Sequence, residues 1–140
     1  MKKLLTLAIF VIALSASAFA QAMTTPKASS ADYKGIVEAV KTYDISQRDE
    51  FEVATYSVTT IRVQGMFAFA SVEPTLQGDG ESLNYGVGHV FLQKKAGKWV
   101  VAFSTHNEKE QVGVDGLKLM KKNKAFPAQL AKFAESQLAG

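Results

Sequence analysis

Apolar positions change their period along this chain, and each change marks an element. From Leu4 to Leu14 they are interrupted by Thr6 alone. At Tyr33, Ile36, Val37 and Val40 they recur three and four residues apart, which puts them on one face of a helix, and Ser29 or Ser30 precedes it as a cap. The pattern fades near Tyr43 and Asp44. A helix of about a dozen residues is marginal in water on its own, so this stripe needs a surface to lie against.

A sheet is the expected surface. Phe51 to Val63 is rich in β-branched and aromatic residues and stops at Gln64-Gly65. A second strand runs from Met66 to Glu73, closed by Pro74 and followed by the turn-forming Gly78-Asp79-Gly80. A third covers Tyr85 to Lys94, and Lys95-Ala96-Gly97-Lys98 turns the chain into a fourth, Trp99 to Thr105. Connections this short predict antiparallel pairing, because a parallel return needs a crossover of a dozen or more residues.

Both faces of the sheet carry apolar residues. Phe67 and Phe69 alternate with Met66, Ala68, Ala70 and Val72, while Trp99, Val101 and Phe103 alternate with Val100 and Ala102. The first helix covers one face and leaves the other for the C-terminal segment, a partner subunit or a ligand cavity. Pro127 suits a helix start, and Leu130, Phe133, Ala134 and Leu138 form a second apolar stripe behind it. Asn107 to Gly116 reads as a loop. The fold class is therefore α+β: an N-terminal helix on an antiparallel sheet of about four strands, with a C-terminal helix.

The first twenty residues change where this domain is expected to work. Lys2 and Lys3, the apolar run and the small residues ending in Ala18-Phe19-Ala20 have the order of a cleavable export signal. A run of eleven residues, Leu4 to Leu14, falls short of the roughly 20 that span a bilayer, so no membrane span is expected after cleavage. Residues 21–30, polar and carrying Pro26, read as a flexible leader, and residues 31–140 as a single domain in the periplasm or outside the cell. With no cysteine, neither a disulfide nor a lipidated thiol is available. Two of the three formal positive charges belong to the signal lysines, which leaves too balanced a chain to predict nucleic-acid binding. Lys118, Lys121, Lys122 and Lys124 form a local cluster, read as a solvated helix face, with contact to anionic lipid or glycan as the alternative.

Two stretches carry a resemblance. Val63-Gln64-Gly65-Met66-Phe67-Ala68 and Val90-Phe91-Leu92-Gln93-Lys94-Lys95-Ala96-Gly97-Lys98-Trp99-Val100-Val101 together resemble the small domains grouped as NTF2-like and cystatin-like. The likeness spans about Tyr33 to Thr105. It implies a helix across a curved antiparallel sheet and, for the NTF2-like group, a deep cone-shaped pocket. It carries over no catalytic residue.

The chemistry on offer is sparse. His89 and His106 are the two histidines, without a ligand spacing such as His-x-x-x-His, and no metal site or cofactor is predicted. With Glu108 they are the candidates for acid-base work if the last two strands pair. Phe67, Phe69, Tyr85 and Trp99 are candidates for lining an apolar ligand site, and filled core is the competing reading. Gly86 and Gly88 form no phosphate loop, since neither a helix start nor a Lys-Ser or Lys-Thr pair follows. The expected function is a non-enzymatic binding or interaction domain whose partner is an envelope protein, a second copy of itself or a small apolar ligand. The alternative is a small NTF2-like enzyme acting on an apolar substrate by acid-base chemistry.

Overall fold

The computed structural model describes residues 21–46, 54–76, 87–105 and 110–140. Its elements in chain order are α1 (Ala31–Ser46), β1 (Ala54–Gln64), β2 (Phe67–Leu76), β3 (Gly88–Lys95), β4 (Lys98–Ser104), α2 (Glu110–Lys121) and α3 (Ala128–Leu138). The four strands form one antiparallel sheet in the order β1-β2-β3-β4. The α+β class and the antiparallel sheet agree with the sequence pattern, and the helices at the two ends of the domain follow the expected order.

Turn chemistry sets the registers. β1 and β2 are joined through Gly65 and Met66, with Gly65 at φ 61°, so Met66 belongs to the turn and Phe67 opens the strand. β3 and β4 are joined through Ala96 and Gly97, both with positive φ (49° and 76°). Two left-handed residues in a two-residue hairpin match the type I′ turn, whose twist suits the flanking strands. Glycine takes that conformation freely, whereas alanine does so at some cost.

Each face of the sheet has its own core. On one, Ile36 and Val40 of α1 pack on Ile61, Val63, Ala68, Ala70, Val72, Val90, Leu92 and Trp99. On the other, Phe67, Phe69 and Phe91 pack under Leu117 and Met120 of α2, Phe126, and Leu130, Ala131 and Ala134 of α3. The second face, which the sequence left to the C-terminal segment, a partner or a ligand, is thus covered by the chain itself.

Ser30, rather than Ser29, caps α1: its hydroxyl accepts the Tyr33 N–H at 3.2 Å and donates to the Lys27 carbonyl at 2.7 Å. At α3 the N-cap is Pro127, which offers no side-chain acceptor. Gln64 of β1 substitutes, its buried Oε1 accepting the Leu130 N–H at 3.1 Å while its Nε2 donates to Gln129 at 3.2 Å. A glutamine at the inner end of a strand thereby satisfies a helix terminus that would otherwise leave an orphan donor.

Four expectations need correction. The segment read as a loop, Asn107 to Gly116, contributes instead to α2, so the C-terminal part is a helix pair. Gly116 and the polar residues around it hide the helical signal, and Gly116 is there because α2 passes so close to Phe103 that a Cβ would stand 2.2 Å from its ring. β2 does not stop at Pro74 but continues to Leu76; beyond Val72 its neighbour among the described residues is β1 alone, and a residue lacking an N–H is tolerated at such an edge. Phe103 does not share a face with Trp99 and Val101. The ladder slips between Phe91–Phe103 and Leu92–Val101, so Ala102 is a bulge and Phe103 turns to the α2 side. Finally, residues 21–30 are tied down: Thr24 exchanges two 2.8 Å backbone bonds with Val63, and Met23 packs against the second core. Phe51, Tyr85 and Gly86, placed in strands by the sequence pattern, lie outside the described residues.

Gly116→Ala is expected to destabilise the protein by about 1–3 kcal/mol in urea denaturation, through overpacking against Phe103. Phe103→Leu in the same chain should recover part of that loss. Ala96→Asn, which supplies the Asn-Gly pair favoured in type I′ turns, should raise stability by roughly 0.5–1 kcal/mol in the same assay.

Candidate functional site

α1 lies over the β4 side of the sheet, and Gly35 brings it there: a Cβ at this position would meet the Trp99 indole at 3.0 Å. Three groups then lock the start of the helix to the hairpin. Asp32, in the first turn of α1, accepts from Lys94 Nζ at 2.9 Å and from Trp99 Nε1 at 3.0 Å on the same oxygen. The Lys94 ammonium also lies 5.4 Å from the indole centroid. A carboxylate near a helix N-terminus is favourable in itself, and here it also satisfies the donor of a buried tryptophan.

The Lys94 ammonium, and after it the Trp99 N–H, holds the Asp32 carboxyl below the usual carboxylate range, against a smaller opposing effect of burial. Asp32 is therefore an anion throughout the neutral range. It orients its neighbours and is poorly suited to carry protons at neutral pH.

Beside this lock the helix and the strand edge part, leaving a groove of about 660 Å³. Ala31, Gly35 and Ala39 of α1 and Trp99 and Val101 of β4 form its apolar walls, with Glu38, Thr42 and Lys98 among the polar groups along it. Its volume falls within the roughly 300–1,000 Å³ typical of small-ligand sites.

The candidate residues are distributed unevenly around this groove. Trp99 lines it. Phe67 and Phe69 lie on the opposite face, in edge-to-face contact with Phe126 at 5.3 Å and Phe91 at 5.2 Å, and they fill core. Tyr85, His106 and Glu108 lie outside the described residues. Asp32, Gly35 and Lys94 were not singled out by sequence reasoning, although a glycine between apolar helix positions and an acid in the first turn were visible signals.

His89 sits on β3 opposite Ser71 of β2. Its ring stacks on Phe69, with centroids 5.6 Å apart and planes 21° off parallel, and Nδ1 is 3.4 Å from the Ser71 hydroxyl. Burial pushes its pKa down, so the neutral ring is favoured. These contacts describe a histidine used for packing at the sheet. Among the described residues no group of three or more His, Asp or Glu side chains could hold a metal ion. In the lysine cluster, Lys118 lies 3.6 Å from Asp115 and Lys121 pairs with Glu135 of α3, while Lys122 and Lys124 are exposed in the connection beyond α2.

Because the His89 pKa is lowered on folding, its contribution to stability is complete above the unfolded value, near 6.5, and is lost as pH falls from there toward the folded value. His89→Gln should flatten the dependence of unfolding free energy on pH between 7 and 5, measured by urea titration. An unchanged slope would mean that His89 titrates alike in both states.

No protein-family model, no curated protein and no solved structure matches this chain, so the functional reading rests on the groove and the elements that build it.

Proposed function

We propose that this chain is an exported, non-enzymatic binding domain whose working surface is the groove between α1 and β4. The observation that carries the reading is the groove itself: about 660 Å³ with apolar walls, polar groups along it and a buried tryptophan fixed in place by hydrogen bonding. The occupant has an apolar body that lies along Trp99 and Val101. The other sheet face supports this choice of surface, since α2 and α3 already cover it with aromatic and aliphatic side chains. Export is part of the proposal on the pattern of residues 1–20, a basic start, an apolar run and Ala18-Phe19-Ala20. The NTF2-like and cystatin-like resemblance enters in the same way, through a helix laid across an antiparallel sheet.

Trp99 is the sole tryptophan of the chain, so its emission reports on the groove. Titration with the apolar dye 1-anilinonaphthalene-8-sulfonate should quench Trp99 emission by energy transfer. Thr42→Phe, at an exposed position on the groove wall, should weaken dye binding several-fold without lowering the melting temperature. Dye binding that ignores Thr42→Phe, or leaves Trp99 emission unchanged, would overturn the assignment. Protein recovered from the envelope of an exporting host should have the mass of residues 21–140, and an intact N-terminus would remove the export half.

A further inference from the structure

Among the described residues β4 pairs with β3 alone, so its other side is a free sheet edge. The register shows which backbone groups face outward. Lys94 donates its N–H to the Met66 carbonyl at 2.7 Å, toward β2, so it exchanges no bonds with Trp99, its partner across the hairpin. Bonded and non-bonded pairs alternate along an antiparallel ladder. Gln93 and Val100 therefore bond each other, while Trp99 and Val101 turn their N–H and C=O groups away from β3. These same two residues line the groove under α1.

The opposite edge of the sheet is treated differently. Val63 of β1 has both outward groups taken by Thr24, at 2.8 Å each. On β4 no described residue does the same for Trp99 or Val101. Val100, between them, is 42% exposed, an unusual place for a valine in a finished sheet.

Charge narrows the kind of chain that fits. The β3–β4 hairpin carries Lys94, Lys95 and Lys98. Lys94 is held by Asp32, whereas Lys95 and Lys98 are exposed and pair with no acid among the described residues. β4 itself, Lys98–Ser104, contains no acidic residue, so a second copy of this strand brings no carboxylate to the turn.

Resting on the groove as the working surface, we propose that its occupant is an extended segment of another polypeptide. The segment adds as a fifth strand along Lys98–Val101. Its backbone bonds the outward groups of Trp99 and Val101, alternate apolar side chains enter the groove, and an acidic residue at one end meets Lys98. The bulge at Ala102 ends the pairing, so the recognised segment is short.

The test is selection of random linear peptides, displayed on phage, against residues 21–140. Enriched sequences should alternate apolar and polar residues and carry Asp or Glu at one end. Val101→Pro removes one outward N–H at an edge position where proline is tolerated, and should weaken the selected peptides at least tenfold. Lys98→Glu, at an exposed site, should weaken them several-fold and reverse the preference for an acidic end. Methylating the peptide backbone nitrogens that face β4 gives the tenfold loss on the unaltered protein, and so decides the matter even if Val101→Pro fails to fold. No enrichment, or peptides indifferent to both Val101→Pro and N-methylation, would overturn the proposal. So would a dimer of the chain that Val101→Pro dissolves, since that assigns the edge to a second copy. If peptides fail while the dye still quenches Trp99 and still responds to Thr42→Phe, the groove stands and only the strand is lost. Failure of both removes the groove as well.

Discussion

The architecture depends on one constraint: β4 must offer an aromatic anchor to each of two helical layers on opposite faces of a single sheet. Trp99 and Phe103 are four residues apart, and in a regular strand that even spacing would place both on one face. The bulge at Ala102 inverts the parity, so Trp99 stays under α1 while Phe103 goes to α2. Each helix answers with a glycine. Gly35 lets α1 approach the indole and Gly116 lets α2 approach the phenyl ring, and a Cβ at either position would meet that ring at 3.0 Å or less. An edge strand, ordinarily the least buried part of a sheet, is thereby held from both sides.

The two edges of the sheet follow from how the chain enters and leaves it. The N-terminal segment reaches β1 on its way to α1, and Thr24 bonds Val63 there. β4 is reached last through a tight hairpin, and its outer side has no such cover among the described residues. α1 then lies toward β4, with the Asp32, Lys94 and Trp99 contacts fixing its first turn. An edge strand whose outward groups have no partner among the described residues, beside an apolar groove, is the arrangement on which the proposed strand addition rests.

Much of this was legible in the sequence because it rests on period. The alternation of Phe67 and Phe69 with Ala68 and Ala70 assigns the two faces of β2, and the 3.6-residue recurrence of Ile36 and Val40 gives the buried stripe of α1. What was hidden breaks a period for a tertiary reason. Gly116 weakens the helical signal of α2 because it accommodates Phe103, a residue distant in sequence. Ala102 looks like any small strand residue until the register of β3 makes it a bulge. The groove was hidden in the same way: Trp99 was visible as an aromatic, but Asp32 and Lys94, 62 residues apart, acquire meaning when the hairpin returns beneath the helix.

The difference in side-chain volume between the two faces accounts for where the groove lies. On the α2–α3 face Phe67, Phe69, Phe91, Phe126 and Phe133 interlock, with ring centroids 5.2 to 6.3 Å apart, and two helices cover them. On the α1 face the strands present Ala68, Ala70, Val72 and Val90, and one helix covers them with Ala31, Gly35 and Ala39 turned to the groove. The groove lies beside β4, where Gly35 brings α1 close to Trp99. Small residues there keep it open, and the Asp32 hydrogen bond holds Trp99 as its floor rather than letting the indole collapse into the space.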